Sequence, residues 1–299
     1  MVSDFIAVLA NPSAGKGRHR GLLPGVVETL GTAGRDVRIL TAGSGDEAEE
    51  ACHAAVADGA AAVVAVGGDG TVHRALQSVA GRDVGFGVVP AGTGNDFASA
   101  VGVPHEGLKA AEGIAGALRD GRDHRFDLAR TLDAHGEQRW FCAVLAAGFD
   151  ALVNERANRM RRPRGARRYD LAILLELAKV RARTYTLTLD GERRTFPAEI
   201  VAVGNCASYG GGMRMLPDAD PADGLLDVLF AAPLGRLDLM RLKPRLRHGT
   251  HVRDPRVTVV RAREVRIEAE GIISYADGER LGPLPLDVSC VPGAVRLLR

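Results

Sequence analysis

The stretch AVGGDGTVHRAL, residues 65–76, places three glycines around Asp69 directly after the apolar run 60–66. The run predicts a buried strand, and the pattern that follows predicts a helix beginning near Thr71. Glycines at a strand end let the backbone approach a ligand, and a helix N-terminus offers unpaired N–H groups. The stretch therefore suggests a phosphate-binding loop, although a turn that needs glycine only for its geometry would look the same.

The segments around this stretch alternate between strands and helices. Apolar runs at 5–10, 37–40, 61–66 and 84–89 predict strands, and the stretches between them predict helices. This order is typical of a mostly parallel sheet covered by helices on both faces. Ligands of such sheets bind beyond the carboxyl ends of the strands, which is where the glycine-rich stretch lies.

Two more glycine-rich loops follow predicted strands at the same edge. NPSAGKGR (11–18) follows the first strand, and PAGTGNDFA (90–98) follows the fourth. A lysine can meet a phosphate charge, and short polar side chains can hold a turn or contact a nucleotide. The loops offer Asn11, Lys16, Thr93 and Asn95. Three such loops at one edge predict a shared nucleotide-binding crevice.

The second half of the chain has the pattern of an antiparallel β-rich domain. Short alternating segments with turn signals between them run from about residue 125 to the end, and one helical interval at about 151–183 interrupts them. We therefore predict a nucleotide-binding α/β domain over 1–125 and an antiparallel β-rich domain over 126–284.

The composition is that of a globular protein, with 46% hydrophobic residues, 25% charged residues and a net charge of +2. The four cysteines are scattered without a CxxC pair or zinc-ligand spacing, which predicts reduced thiols. The chain shows no signal-peptide pattern and no apolar run near the roughly 20 residues that span a bilayer. These features predict a cytoplasmic protein that meets a membrane, if at all, at its surface.

The positive charge is concentrated in two places. Residues 155–168 contain seven arginines and one acid, and residues 236–266 form a second basic stretch. Such stretches attract phosphates, anionic membranes or nucleic acid, but they can equally be solvated surfaces. No nucleic-acid-binding motif accompanies them, so we expect no nucleic-acid partner and keep a peripheral anionic membrane as the candidate.

Several common enzyme motifs are absent. The chain contains no GxxxxGK[ST], no GxGxxG after a strand, no GxSxG and no HExxH. Their absence argues against a Walker P-loop enzyme, an ordinary NAD dehydrogenase, an α/β-hydrolase and a zincin protease.

Five motifs in order resemble one family. NPSAGKG, VGGDGTVHRAL and PAGTGNDFA resemble the diacylglycerol kinase and sphingosine kinase catalytic family, and in particular its soluble bacterial lipid kinases. Residues 203–230, with a GGGM segment and DGLLD, and residues 275–282, YADGERLG, resemble the second half of that branch. The resemblance extends from about residue 5 to residue 297.

The resemblance implies an NAD-kinase-like α/β domain that carries ATP and a C-terminal β-sandwich over 126–284, with residues 285–299 returning to complete the first domain. It also implies transfer of the γ-phosphoryl group to a lipid hydroxyl. By matching position, the residues implied at the ATP site are Asn11, Lys16, Thr41, Gly67, Gly68, Asp69, Gly70, Thr71, Thr93 and Asn95. Glu279 is implied as the proton acceptor. Phosphoryl transfer needs mainly positioning and charge stabilisation, and Asp69 with Mg²⁺ can hold the γ-phosphate in line. A metal ion is implied at the Asp223 carboxylate and the carbonyls of Asp220 and Leu225.

The tripeptide DGE occurs twice, at 190–192 and at 277–279. Asp-Gly is a common hairpin turn, so each tripeptide taken alone is better explained as a turn than as a catalytic site. We assign the catalytic role to Glu279, because its place after the DGLLD segment matches the family. The ADGLLDV stretch at the implied metal site has the same alternative explanation as a turn.

Other functions remain open at this stage. Diacylglycerol is the default acceptor, and sphingoid bases, ceramide, monoacylglycerol and phosphatidylglycerol are alternatives. An NAD kinase shares GGDGT, and a catalytically silent nucleotide- or lipid-binding protein would preserve the loops. The sequence identifies neither the acceptor pocket nor the oligomeric state, for which a homodimer is one option.

Overall fold

The computed structural model describes residues 4–10, 19–160, 162, 166–179 and 181–299. The chain divides into two compact units. The first contains Met1–Leu128, Pro221–Asp223 and Val291–Arg299, and the second contains Ala129–Asp220 and Gly224–Cys290.

The first unit is an α/β domain. Its elements are β1 (Phe5–Ala10), α1 (His19–Gly31), β2 (Asp36–Leu40), α2 (Gly45–Ala57), β3 (Ala60–Gly67), α3 (Asp69–Val79), β4 (Gly85–Pro90), α4 (Asp96–Ala100) and α5 (Gly107–Asp120). The strand order is β2-β1-β3-β4, and all pairings are parallel. At the far edge, Arg296–Leu298 of the last strand, β16 (Leu286–Leu298), pairs in parallel with β4.

The central strands are buried on both faces, as their sequences predict. β3 reads AAAVVAVG, and seven of its eight positions are buried, which is the pattern of a strand with helices on both sides. On one face, Ile6 and Val64 pack with Leu30 of α1 and Ile114 of α5 in one apolar core. Helices α2 and α3 pack against each other and against β3. This frame holds the loops after β3 and β4 at one edge of the sheet.

The second unit is mainly β-structure. Its elements are the end of β5 (His124–Asp133), β6 (Gln138–Phe141), β7 (Val144–Ala146), α6 (Phe149–Arg159), α7 (Ala166–Leu177), β8 (Arg183–Leu189), β9 (Glu192–Ala198), β10 (Ile200–Gly204), β11 (Leu226–Ala231), α8 (Arg236–Leu246), β12 (Val257–Ala262), β13 (Glu264–Glu268), β14 (Ile273–Ala276), β15 (Glu279–Pro283) and the start of β16.

Two sets of antiparallel strands form the sandwich of this unit. One has the order β12-β11-β10-β7-β14-β15, and the other runs from the start of β16 through β13 and β8 to β9. Alternation along β10 shows how the layers arise. Val201 and Val203 enter the sandwich core, whereas Ile200 packs with the helical layer of α6, α7 and α8.

The structure confirms the predicted fold class and adjusts several elements. The helix after GGDG begins at Asp69 and not near Thr71, with Gly68 as its N-cap. An acidic residue in a first helical turn suits the helix dipole, which explains the earlier start. The predicted helical interval at 151–183 contains two helices, α6 and α7, and β8 begins at Arg183. Helices α5 and α8 were not predicted.

Candidate active site

Asp69 connects two of the predicted phosphate-binding loops. One carboxylate oxygen accepts a hydrogen bond from the backbone N–H of Asn95 at 2.9 Å, and the other accepts from that of Asp96 at 2.8 Å. Asp69 is the first residue of α3, and Asp96 is the first residue of α4. The carboxylate therefore fixes the loop after β4 against the helix that follows β3.

The two loops approach so closely that glycine is required at their contact. A Cβ atom at Gly92 would lie 2.5 Å from the Cα of Gly68, and one at Gly68 would lie 3.1 Å from the Cα of Gly92. The GGDGT and PAGTGND motifs thus contain glycine partly for packing between loops, in addition to any approach of a ligand.

Asn95 closes the loop after β4. Its backbone is left-handed, with φ of 58°, which asparagine tolerates better than most residues. Its side-chain oxygen accepts from the Gly92 N–H at 3.1 Å, and its amide group donates to the Gly92 carbonyl at 3.2 Å. These contacts give the loop a defined shape before any ligand binds.

The other residues predicted at the ATP site differ in exposure. Thr71 is buried in α3, where its side chain lies so close to Gly67 that a Cβ there would be 2.3 Å from the threonine Oγ1. Thr41, which follows β2, and Thr93 are exposed. Gly70 lies in the first turn of α3. Asn11 and Lys16 lie outside the described residues.

The residues predicted to hold a metal lie before β11. The side chains of Asp220 and Asp223 are exposed, and Leu225 is half-buried. No group of three or more His, Cys, Asp or Glu side chains within the described part of the chain could hold a metal ion. The predicted set relies on one carboxylate and two main-chain carbonyls, and such oxygen donors fit a hard cation such as Mg²⁺.

Glu279 follows a tight hairpin turn between β14 and β15. Ala276 pairs with Glu279, and the turn residues Asp277 and Gly278 have φ of 51° and 87°. Positive φ at both central positions is the signature of a type I′ turn. The pairing also shifts between Ser274 and Tyr275, an irregularity that reorients nearby side chains.

The Asp277 carboxylate anchors this turn to the connection between β6 and β7. It accepts hydrogen bonds from the backbone N–H groups of Cys142 at 3.0 Å and Ala143 at 2.9 Å. The aspartate of DGE therefore has a structural task that places the half-buried glutamate two residues later.

The other DGE tripeptide is built in the same way. Asp190 and Gly191 have φ of 47° and 90°, and Leu189 pairs with Glu192 across the turn. The Asp190 carboxylate accepts from the backbone N–H of Glu264 at 2.8 Å and from that of Arg263. Both tripeptides are thus hairpin turns, and turn geometry does not distinguish Glu279 from the exposed Glu192.

An ionic cluster on α6 holds both strands of the Glu279 hairpin. Glu155 accepts from the Tyr275 hydroxyl at 2.5 Å and from the Arg280 guanidinium at 3.2 Å. Tyr275 lies on β14, and Arg280 is the neighbour of Glu279 on β15. The tyrosine hydroxyl, followed by the guanidinium groups, lowers the pKa of Glu155 despite partial burial.

The sequence analysis missed Asp150, at the start of α6. Burial raises the pKa of this carboxyl to about 6, although a hydrogen bond from Tyr209 opposes the shift. Tyr209 directly precedes the GGGM segment, so this contact joins a family-like motif to α6. A carboxyl that titrates close to neutral pH is a candidate functional group. The acid in the first turn after Gly148 was the available sequence signal.

The second unit also contains a cavity of about 330 Å³. Phe149, Leu152 and Ile272 form apolar parts of its lining, and the polar lining consists of Glu176, Lys179, Arg181, Arg183, Tyr185 and Glu199. Burial raises the pKa of Tyr185 and of Glu199. A mixed lining of this kind suits a ligand with an apolar chain and a polar end.

The arginine-rich stretch at 155–168 is partly engaged within the protein. Arg156 forms an ion pair with Glu176 of α7, and Arg159 forms one with Glu155. Arg162 is exposed, and Arg161 and Arg164 lie outside the described residues. Docking of this stretch on a membrane stays a prediction.

None of the helices in the described ranges combines the length and apolar character needed to cross a bilayer.

Paired glycine-rich loops at the carboxyl edge of a parallel sheet, together with a β-sandwich unit, define the class of proteins with an NAD-kinase-like fold. Residues 6–131 match the diacylglycerol kinase catalytic domain, and residues 143–299 match the YegS C-terminal NAD kinase beta sandwich-like domain. The chain belongs to the diacylglycerol kinase-like family of lipid kinases.

Relatives match along nearly the whole chain. A diacylglycerol kinase of Mycobacterium tuberculosis is 43% identical over 98% of this chain and 94% of its own length. A probable lipid kinase YegS-like of Stenotrophomonas maltophilia is 31% identical over 84% of this chain and 82% of its own.

Solved structures share the fold. A diacylglycerol kinase of Bacillus anthracis has a TM-score of 0.72 at 21% identity, covering 99% of this chain and 96% of that one. An NAD kinase of Archaeoglobus fulgidus in complex with ATP has a TM-score of 0.56 at 16% identity, covering 98% and 93%. At these identities the similarity concerns the fold alone.

Proposed function

We propose that this kinase transfers the γ-phosphoryl group of ATP to the free hydroxyl of diacylglycerol and so forms phosphatidic acid. The observation that carries this choice of acceptor is the 43% identity to a diacylglycerol kinase over 98% of the chain. We further expect a cytoplasmic enzyme that visits the membrane surface, where such an acceptor resides.

The proposed ATP site is built on the loops of the first unit. Its residues are Asn11, Lys16, Thr41, Gly67, Gly68, Asp69, Gly70, Thr71, Thr93 and Asn95. The Thr71 N–H donates to the Gly68 carbonyl at 2.9 Å. The N–H of Gly70, one residue earlier in the first turn of α3, can bind a phosphate oxygen, because the first N–H groups of a helix have no acceptor in the preceding turn. The contacts of Asp69 and Asn95 support this proposal, since they give the loops a fixed shape. Asp69 then assists catalysis mainly by holding the phosphate-binding backbone in position.

The proposed metal site uses the Asp223 carboxylate, the Leu225 carbonyl and Asp220. Mg²⁺ is the proposed ion, because oxygen donors of this kind suit hard cations. The side chains of Asp220 and Asp223 are exposed, so an ion can reach them from solvent.

We assign to Glu279 the role of accepting the proton of the attacking hydroxyl. General-base assistance of this kind contributes about 10²–10⁴-fold. The anchoring of its hairpin through Asp277 and Glu155 supports the assignment, because a catalytic base must be held in position. The cavity beside Phe149 is the candidate site for part of the acceptor.

The proposal is tested with labelled ATP, Mg²⁺ and micelles that contain diacylglycerol, a sphingoid base, ceramide, monoacylglycerol or phosphatidylglycerol. Chromatography of the products should show phosphatidic acid as the main product. Preferential phosphorylation of another lipid would replace diacylglycerol as the proposed acceptor. Phosphorylation of none of these lipids would favour a catalytically silent binding protein.

The role of Glu279 is tested with a matched pair of variants. Glu279→Gln should lower turnover by at least 10²-fold with little change in stability. Glu192→Gln removes the same charge after an equivalent turn and should be close to wild type. A Glu279→Gln enzyme that keeps more than about a tenth of wild-type turnover would refute the assignment.

A further inference from the structure

Helices α7 and α8 leave four large apolar side chains in solvent. Leu174 and Leu175 of α7 are 64% and 38% exposed, and Leu237 and Met240 of α8 are 67% and 59% exposed. Isolated exposed leucines are common, but these four come from two short helices. We call the surface formed by these residues and the cations beside them the α7–α8 surface.

Both helices turn one face to the protein and the other to solvent. Ala172 of α7 and Leu239 and Leu242 of α8 are buried in one cluster, which also contains Ala231 of β11. The exposed residues lie on the opposite sides of their helices. The Arg236 guanidinium at the start of α8 donates to the Ala178 carbonyl just after α7, so the end of α7 lies near the start of α8.

The charge around these apolar groups is positive. The exposed cations on the two helices and just beyond them are Lys179, Arg181, Arg236, Arg241, Lys243 and Arg247. Asp238 is the one acid in the sequence of α8, and its carboxylate is engaged by Arg256 at 2.9 Å and by the Gly235 N–H. The sequence of α7 contains two acids, Asp170 and Glu176, and Glu176 is buried and paired with Arg156.

We propose that the α7–α8 surface docks on an anionic lipid bilayer. Leucine and methionine side chains can enter the interfacial region while arginine and lysine contact the headgroups, which is the pattern of surface-binding helices. A second copy of the chain is a poorer occupant, because it would bring two cationic surfaces together. The inference rests on the proposed function, because a lipid acceptor gives the enzyme a reason to bind a bilayer. The vesicle-binding test needs neither ATP nor turnover.

The test measures binding to phosphatidylcholine vesicles with and without about one third phosphatidylglycerol by co-sedimentation. Wild type should bind the anionic vesicles at least 10-fold more tightly, and added salt should weaken this binding. Leu237→Gln/Met240→Gln should bind them at least 10-fold less tightly. Arg241→Gln/Arg247→Gln should lose affinity and part of the salt dependence. Leu132→Gln, at a leucine on β5 that is 44% exposed, is the control and should bind as wild type does.

Equal binding of wild type to both kinds of vesicle would overturn the proposal, as would unchanged binding of the double variants. Analytical ultracentrifugation could instead show that wild type is a dimer and that Leu237→Gln/Met240→Gln is a monomer. That result would assign the surface to a second copy of the chain and would also overturn the proposal.

A second experiment uses a short-chain diacylglycerol below its micelle concentration as the acceptor. Leu237→Gln/Met240→Gln should keep wild-type kcat/KM on this acceptor and lose at least 10-fold on vesicles. If wild type phosphorylates neither acceptor, the proposed function is wrong. The co-sedimentation result with vesicles then still decides whether the surface docks on a bilayer.

Discussion

Gly92 shows at the scale of one residue why the nucleotide loops are rich in glycine. Its α-carbon faces Gly68 so closely that any side chain would push the two loops apart. The same contact lies beside the Asp69 carboxylate, which fixes the N–H groups of Asn95 and Asp96. The loops are therefore one packed unit, and a change in either should alter both.

Gly92→Ala should destabilise the first unit and impair nucleotide binding. The new methyl group would lie 2.5 Å from the Gly68 α-carbon and 2.9 Å from the Asn95 side-chain oxygen, so backbone must move. Overpacking of this kind costs about 1–3 kcal/mol. Thermal unfolding should show a lower Tm. Gly31→Ala, where nothing lies within 4 Å, is the control and should be near neutral. Equal Tm values for both variants would contradict the packing argument.

Asp150 predicts a pH dependence of stability. Burial raises the pKa of its carboxyl from an ordinary 3.8 to about 6, so the charged form is less favourable in the folded chain than in the unfolded one. The stability this group contributes is present below its unfolded pKa and is lost as the pH rises through about 6. Asp150→Asn cannot ionise, and its carbonyl still accepts a hydrogen bond from Tyr209.

Tm measured from about pH 5 to about pH 8 checks this prediction. The Tm of Asp150→Asn relative to wild type should increase with pH, by a few degrees over the range, since about 1 kcal/mol shifts Tm by roughly 2–4 °C in chains of this order of size. A constant difference would show that Asp150 titrates normally.

At the scale of elements, the two DGE hairpins have the same construction but different surroundings. Each has an aspartate at positive φ whose carboxylate accepts two backbone N–H groups from a neighbouring connection. Only the β14–β15 hairpin is held in addition by Glu155 through Tyr275 and Arg280. A comparison of variants in the two hairpins therefore separates the effect of the aspartate anchor on stability from its effect on catalysis.

Asp277→Asn should destabilise the protein more than Asp190→Asn does. Asparagine suits a type I′ turn, but its single oxygen serves only one of the two N–H groups well. At Asp277 these groups belong to the buried Cys142 and Ala143, where an unsatisfied group costs about 1–3 kcal/mol, whereas those at Asp190 belong to exposed residues and can bind water. Asp277→Asn alone should lower kcat, by at least 10-fold, because it releases the Glu279 hairpin. Equal losses of kcat in both variants, or none in either, would argue against a positioning role for Asp277.

The elements also show what could be predicted from sequence. The parallel strands were predictable, because runs such as AAAVVAVG have no polar face. The start of α3 was placed two residues late, because Asp69 suits the helix dipole in the first turn and its carboxylate binds N–H groups 26 and 27 residues away. Periodicity within a window carries no such information. Helix α8 was missed because its exposed Leu237 and Met240 obscure the amphipathic pattern and Pro244 interrupts it.

At the scale of the whole molecule, recognising the family depended on the order of five motifs. Individual residues gave weaker signals, as the twin DGE turns show. Contacts made by the Asp277 and Glu155 carboxylates join segments more than 100 residues apart, so only the folded chain reveals them. The sequence could therefore predict candidate residues for the site, but not the contacts that support them.

Binding and chemistry should be separable in the intact chain. A ligand that binds only the folded state stabilises it by RT ln(1 + [L]/Kd), about 2.7 kcal/mol at 100 times Kd. A non-hydrolysable ATP analogue with Mg²⁺ should therefore raise the Tm of wild type and of Glu279→Gln by similar amounts, because we assign Glu279 to proton transfer and not to nucleotide binding. Gly92→Ala should lose most of the shift, since its loops cannot keep their mutual packing. A Glu279→Gln variant that loses the shift would place this glutamate in the nucleotide site, and a wild type without any shift would remove ATP from the proposed reaction.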